Sequence, residues 1–277
     1  MLKGRTKFPN IYSISDIHGC YEAMIETLSL VDLDSNKDNK LILHGDYVNR
    51  GENSYKVLYH IKKLEEKYPE QVVVLIGNHD QMFIDWYKGE DLLQWLEQDQ
   101  ELMTTRSFFT DEQWDCLVKE NLALKHSYAK TSDLLKSEIE KNHQGLLQWL
   151  FSKKDSLYYE TANQIFVHAG ICEVAEELWK YSTEENEFTW KFPAEIGSFY
   201  KDIIAGHVSS KTVSEDENYL GKVYWDNENH FFIDGETNKS HVIPLLKYNT
   251  DTKLYSSYEK NHEGEWIEFP ITKSKAR

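Results

Sequence analysis

Three short apolar runs, Ile11–Ser15, Leu41–Leu43 and Val72–Ile76, each stop on a cluster of polar side chains. The clusters are Asp16-Ile17-His18-Gly19, Gly45-Asp46-Tyr47-Val48-Asn49-Arg50-Gly51 and Gly77-Asn78-His79-Asp80. Between the runs, Tyr21, Met24, Leu28 and Val31 recur at helical spacing, and so do Leu58, Ile61 and Leu64. A further helix is expected from about Gln81. Alternating strand and helix predicts parallel strands joined by right-handed crossovers, with a site at the strands' C-terminal ends. That one pattern excludes most other architectures.

From about Trp86 to Tyr159 the character changes. Leu135, Ile139, Leu146 and Trp149-Leu150 read as helices with no strand between them, so residues 86–159 are expected to form a helical insertion on one side of the core. Strand-like runs return at Gln164–Val167, Asp202–Ala205, Val223–Asp226, His230–Asp234, Ser240–Tyr248, Lys253–Tyr258 and Glu265–Phe269. Short β-branched and aromatic segments separated by Asn, Gly and Asp predict an antiparallel meander. The expected fold class is therefore α/β, a mixed sandwich whose second sheet comes mostly from the C-terminal half. No repeat or linker divides the chain, so one domain spanning 1–277 is expected, with a C-terminal β extension at 250–277.

Size and charge narrow the function classes. The 277 residues can bury a substantial core, and 40% apolar with 13% aromatic content argues for a folded globule. A net charge of −16 disfavours binding to nucleic acid, which depends on Lys and Arg neutralising phosphates. Three widely separated cysteines, Cys20, Cys116 and Cys172, are no disulfide framework. No apolar run reaches membrane-spanning length and Met1-Leu2-Lys3-Gly4-Arg5 lacks a signal-peptide core, so a cytoplasmic protein without membrane attachment is expected. The oligomeric state is left open.

The strand-end clusters carry the chemistry. Two divalent ions held a few ångströms apart need a bridging carboxylate, with His, Asp and Asn completing each ion's shell. Asp16 and His18 can reach one ion from an extended backbone, Asp46 is the natural bridge, and Asn78 offers an amide oxygen to the second ion. His168, in Phe166-Val167-His168-Ala169-Gly170, and His207, in Ala205-Gly206-His207-Val208, also end strands. Each piece alone is more often a helix cap, a turn former or a structural histidine. Five pieces in order, each at a strand end, carry the inference together.

In that order the motifs Asp-x-His-Gly, Gly-Asp-Tyr-Val-x-Arg-Gly, Gly-Asn-His-Asp, His-Ala-Gly and Gly-His resemble those of the calcineurin-like metallophosphoesterases. The resemblance is to the branch of serine/threonine protein phosphatases, the lambda-phage phosphatase and symmetrical diadenosine tetraphosphatases. It covers roughly residues 10–90 and 155–235. It implies a four-layer αββα sandwich and a centre of two divalent metal ions, Mn²⁺ foremost, with Fe or Zn as alternatives. It further implies Asp16, His18 and Asp46 around the first ion and Asp46, Asn78, His168 and His207 around the second. Arg50 would grip a phosphate oxygen and His79 would protonate the leaving alkoxide, with hydroxide generated at the two metals attacking phosphorus in line.

Two departures bear on activity. Asn49 stands where the family has an Asp paired with the acid histidine, so Asn49 is expected to accept the same hydrogen bond from His79 and hold it in place without supplying charge. Near Trp190 the family places a second phosphate-binding Arg; here Trp190-Lys191-Phe192-Pro193 has none, and Lys191 is the one cation available. Ser15 and Val208 are milder changes. His44 is expected to point away from the metal ligands by strand alternation, Cys20 to be a small packed residue, and Trp190, Phe192, Phe199 and Tyr200 to be packing rather than a base-stacking platform, although they lie where a substrate wall would stand. The leading expectation is a hydrolase of phosphomonoesters, phosphoprotein or small molecule. The alternatives are a symmetrical dinucleoside-polyphosphate hydrolase, or a weakened relative that binds metals and a phosphorylated ligand without efficient turnover.

Overall fold

A computed structural model describes residues 9–90, 95, 98–99, 102–122 and 128–272. Strands β1 (Asn10–Ile14), β2 (Lys40–Leu43) and β3 (Val72–Val74) lie side by side and parallel, with Ile14 opposite Leu43 and Leu43 opposite Val74. Helices α1 (Tyr21–Leu28) and α2 (Ser54–Lys67) make the crossovers, and α3 (Asn78–Lys88) follows β3. Three helical segments come next: α4 (Met103–Arg106), α5 (Asp111–Leu122) and α6 (Tyr128–Phe151). Helix α6 is broken at His143, whose Nε2 lies 2.8 Å from the Phe108 carbonyl.

A second sheet holds β4 (Tyr158–Glu160), β5 (Gln164–Val167), β6 (Asp202–Ala205), β7 (Tyr224–Trp225) and β8 (His230–Phe232), in the order β4-β5-β6-β8-β7. Side-chain alternation sorts the core into layers. Tyr12, Ile14, Leu41 and Leu43 face Met24, Leu58, Ile61, Phe83 and, from α6, Ile139 and Leu150. Ile11 and Ile42 face the opposite way, against Phe166, Ile204 and Phe231 of the second sheet. Ile165, Val167 and Ile203 turn outward onto Trp179 and Phe188. Those two residues sit on α7 (Trp179–Ser182) and α8 (Glu185–Trp190). Three apolar seams between four layers make the αββα sandwich.

The later strands depart from the expected meander in two ways. First, β5, β6 and β8 are mutually parallel. The crossover from β6 to β8 runs through the short helix α9 (Ser210–Ser214) and a 3-10 turn at Glu217–Tyr219, too brief to register as helical periodicity. Second, β9 (Leu246–Asn249), β10 (Leu254–Lys260) and β11 (Trp266–Pro270) join the first sheet, with β9 antiparallel to β1. The open side of β1 offers unpaired backbone groups, and Leu246 and Tyr248 bury into the inter-sheet seam beside Ile11. Within the expected run Ser240–Tyr248 only the end is strand. Its start closes helix α10 (Thr237–Ser240), and Pro244 has no N–H to give to a ladder.

Candidate active site

The polar clusters gather where the two sheets' C-terminal strand ends meet. Asp16, His18, Asp46, Asn49, Arg50 and His207 all have positive φ, between 48° and 72°. Such conformations cost non-glycine residues about 1–3 kcal/mol each and persist only where the surroundings enforce them. Loop-to-loop hydrogen bonds do so here. The His18 and Gly19 N–H groups donate to the carbonyls of Asp46 and Tyr47 at 2.8 Å. The buried Asp80 carboxylate, at the start of α3, accepts from the N–H groups of Asp46 (2.7 Å), Tyr47 (2.9 Å) and Gly77 (3.1 Å). Gly77 is required for a separate reason, since a Cβ there would collide with the Asp46 carboxylate.

Asp46 lies at the centre. Its Oδ2 is 3.5 Å from His18 Nε2 and its Oδ1 is 3.5 Å from His168 Nε2. The outer nitrogens fix the tautomers. His18 Nδ1–H donates to the Val48 carbonyl at 2.9 Å, and His168 Nδ1–H donates to the His44 carbonyl at 3.0 Å. Both Nε2 lone pairs therefore point inward, the arrangement that metal-binding histidines adopt. Burial holds both imidazoles neutral: His18 falls well below its ordinary range and His168 falls to about 3. Asp16 Oδ1 is 3.9 Å from His18 Nε2, and Asn78 Oδ1 is 3.0 Å from His168 Nε2 and 3.1 Å from His207 Nδ1. The six residues expected to bind metal thus stand together, with Asp46 shared.

Their environment suits cations. His18 Nε2 is buried and has no hydrogen-bond partner, an expensive state for a lone pair unless something coordinates it. Burial raises the Asp16 carboxyl to about 7, with the Asp46 charge adding to the shift, and burial likewise raises Asp46 to about 7. The Arg50 charge offsets these two buried carboxylates only in part, so this donor set fits a pair of divalent ions.

Beside it, His79 and Arg50 converge. The Asn49 amide oxygen accepts the Arg50 N–H at 2.7 Å, so its NH₂ group faces His79 Nδ1 at 3.0 Å. Asn49 therefore donates to His79, where the sequence allowed it to accept. A donor at Nδ1 leaves the neutral ring's proton on Nε2. Burial, then the Arg50 charge, lower the imidazole to about 3. Arg50 Nη2 and His79 Nε2 are two donors 3.5 Å apart, a place for an acceptor oxygen between them.

These groups border a cleft of about 580 Å³ lined by Asn49, Arg50, His79, His207, Asp234 and Phe192, among others. A larger hollow of about 1010 Å³, walled by Tyr55, Arg106, Phe108 and His143, lies apart from the carboxylate and histidine cluster and offers no comparable chemistry. Lys191 is directed elsewhere. Its ammonium donates to the Ile171 carbonyl and pairs with Glu195 at 2.9 Å, which removes it as a substitute phosphate ligand. The His44 side chain faces the second sheet, donating from Nδ1 to the Val167 carbonyl at 2.9 Å, while its own carbonyl orients His168. Cys20 is half-buried, with its thiol pushed up to about 11 by burial and then by Glu22, the reverse of an activated nucleophile.

Three contributors escaped the sequence reading. Asp80 reads as an acidic residue in a helix's first turn, a capping signature, and that signal was available. Asp234 is a buried carboxylate in the cleft, raised well above its ordinary range by burial and then by the Asp16 charge. It ends an expected strand as Asp16 and Asp46 do, so the same rule could have found it. Thr104, whose hydroxyl accepts the Asn49 N–H at 2.9 Å, comes from α4, and nothing in the local sequence marks it.

Comparison with known proteins shows what the sequence and the fold resemble. A stretch of 79 residues is 43% identical to the symmetrical bis(5'-nucleosyl)-tetraphosphatase of Coxiella burnetii (strain Dugway 5J108-111), covering 28% of this chain and 25% of that protein. The enzyme of the same name from Nitrosospira multiformis is 44% identical over 70 residues, 25% of this chain and 24% of the other. The matches span only about a quarter of these relatives' length. The fold is shared with the cold-active protein-tyrosine phosphatase of a psychrophilic Shewanella (TM-score 0.56, 16% identity, 94% of this chain and 81% of that one). It is shared too with a protein serine/threonine phosphatase from Saccharomyces cerevisiae (TM-score 0.53, 11% identity, 99% and 83%). The sequence model described as calcineurin-like phosphoesterase matches residues 9–232, from the first strand of one sheet to the central strands of the other. With four-fifths of its length inside that model and the strand-end cluster in place, the chain belongs to the calcineurin-like phosphoesterase family.

Proposed function

We propose that this chain is a metal-dependent hydrolase of phosphomonoesters, with phosphorylated proteins or small phosphate esters as substrates. One observation carries the reading: the Asp46 carboxylate lies between two imidazole lone pairs, His18 on one oxygen and His168 on the other. In this reading Asp16, His18 and Asp46 hold one ion, and Asp46, Asn78, His168 and His207 hold the other. Mn²⁺ is the first choice of metal, with Fe or Zn as alternatives; mixed nitrogen and oxygen donors accept all three. When bound, two such ions supply Lewis acidity toward the phosphoryl oxygens and the attacking water.

The protein's own groups do the rest. Arg50 binds a phosphoryl oxygen in the space it shares with His79 and offsets its charge. His79 donates its Nε2–H to the leaving oxygen. The neutral ring, held by Asn49, stabilises that oxygen by hydrogen bonding and has no second proton to release without leaving a costly imidazolate. The site therefore favours leaving groups that depart as weakly basic anions.

The same property supports a second reading, symmetrical hydrolysis of dinucleoside polyphosphates. A nucleotide leaving group departs from a phosphoanhydride without protonation, and the curated relatives carry that activity in their names. No helix among the described residues is long and apolar enough to cross a membrane; a cytoplasmic setting belongs to the proposal, supported by Cys20 and Cys172 remaining thiols. The whole chain is read as one working unit, because Thr104 of the helical segment supports Asn49.

The test is to load the protein with Mn²⁺ and assay a phosphopeptide, diadenosine tetraphosphate and p-nitrophenyl phosphate. Phosphate release from the esters supports the leading reading, and cleavage of the tetraphosphate alone favours the second. Metal binding with no turnover of any of them would refute both.

A further inference from the structure

The cleft has one wall that phosphate chemistry does not account for. Most residues bordering it are polar, among them Asn49, Arg50, His79, Ser209 and Asp234. Its charged rim is self-satisfied, since Glu236 pairs with Lys239 at 2.7 Å and accepts from the Ser209 hydroxyl at 3.0 Å. Phe192 and Val208 are the apolar members of the lining, and of the two only Phe192 is exposed. Its ring borders the same cleft yet is 71% exposed. A single exposed apolar side chain is ordinary on a protein surface, but one that borders a polar cleft offers apolar area for a ligand in that cleft to cover.

The surroundings hold the ring in place. Lys191 is fastened to the Ile171 carbonyl and to Glu195, so the backbone leading into Phe192 is anchored on its inner side. Trp190 closes α8 just before it, 40% exposed, with its ring edge-on to the His207 imidazole at 6.5 Å between centroids. Trp190 thus stands beside the His207 imidazole, and Phe192 and His207 border the same cleft.

A phosphoryl group bound between Arg50 and His79 must direct its ester substituent along the cleft, and Phe192 forms a wall of that path. We propose that Phe192 is a specificity-determining wall that stacks on an aromatic ring carried by the leaving group, so that the preferred substrates are aryl phosphate monoesters. This rests on the phosphoesterase reading and deepens it. The expected packing is offset or edge-to-face, as between aromatic side chains.

The experiment uses the full-length Mn²⁺-loaded chain as wild type, Phe192→Ala, Phe192→Leu and Phe192→Tyr. Two quantities are measured: kcat/KM for phenyl phosphate relative to n-butyl phosphate, and calorimetric Kd for phenylphosphonate relative to methylphosphonate. Because each ratio compares ligands on one variant, folding defects and intrinsic leaving-group reactivity cancel between variants. Phe192→Ala is expected to lower both aryl-to-alkyl ratios roughly ten-fold relative to wild type, mainly through KM. Phe192→Leu is expected to fall between, and Phe192→Tyr to stay within about two-fold of wild type.

Equal ratios in all four proteins, with both esters hydrolysed, would overturn the stacking wall and leave the phosphoesterase reading standing. Phenylphosphonate binding that drops in Phe192→Ala, with neither ester hydrolysed, would support the wall and remove the hydrolytic reading. Failure of wild type to bind phenylphosphonate would overturn the wall, and failure to hydrolyse either ester as well would overturn both.

Discussion

At the residue scale, the proposed reaction makes the hydrogen bond between Asn49 and His79 the feature that would decide which leaving groups the site can serve. Asn49 donates to Nδ1, and the neutral ring can only lend its Nε2–H. Asn49→Asp would put an acceptor opposite Nδ1 and a negative charge beside the ring, raising the imidazole pKa and making a true acid. Turnover of an alkyl phosphate is expected to rise by about one to two orders of magnitude, and that of p-nitrophenyl phosphate by less than about three-fold. Steady-state kinetics on the two esters read this directly, and an equal response of both would count against the assigned tautomer. Asp80 makes a second residue-scale prediction. Asp80→Ala leaves the buried N–H groups of Asp46 and Tyr47 without their carboxylate acceptor. Each such loss costs about 1–3 kcal/mol, and a chemical-denaturation midpoint close to wild type would contradict the role given to it.

At the element scale, His230 of β8 fastens three segments. Its Nε2 meets Glu173 Oε1 at 3.0 Å, and its Nδ1 meets Asp226 Oδ2 at 3.2 Å and the Gly197 carbonyl at 2.9 Å. Burial alone would lower this imidazole, but Asp226 and Glu173 raise it to about 9. A folded pKa above the unfolded 6.5 means stability that is complete below about pH 6.5 and fades as pH rises through 9. The protonated form is worth on the order of 3 kcal/mol at most. Comparing wild type with His230→Gln, the melting-temperature gap should be widest near pH 6 and shrink through pH 9. A gap independent of pH would show that His230 does not titrate in this way.

How legible the elements were follows from their periodicity. β5 and β6 fall at the residues expected because their apolar runs are continuous and bounded by polar turns. The placement of β9, β10 and β11 in the first sheet was invisible, since strand pattern reports a buried face and says nothing of which edge a strand joins. That the candidate metal ligands would lie together was readable because they sit at strand ends in short contiguous motifs. Thr104 and the orienting carbonyls of Val48 and His44 were not, because they act through contacts between segments distant in sequence. Phe192 was taken as packing. Whether an aromatic residue is covered or exposed is settled by tertiary structure.

At the scale of the whole molecule, the site is a joint between the sheets. Asp16, His18, Asp46 and Asn78 follow strands of one sheet, while His168 and His207 follow strands of the other. In the proposed centre, metal held by both groups would tie the sandwich together and stabilise it by mass action, about 2.7 kcal/mol at 100 times Kd. Chelation should lower the melting temperature by several degrees and Mn²⁺ should restore it, with Asp46→Asn losing most of that response. The central claim is a two-ion hydrolytic centre bridged by Asp46, and its most direct measurement is metal content per chain alongside phosphate release. Equilibrium dialysis with elemental analysis should find two divalent ions per wild-type chain. It should find one or none in Asp46→Asn, whose release of phosphate from phenyl phosphate should fall at least about 100-fold. An Asp46→Asn protein that still held two ions and hydrolysed the ester at the wild-type rate would contradict the account.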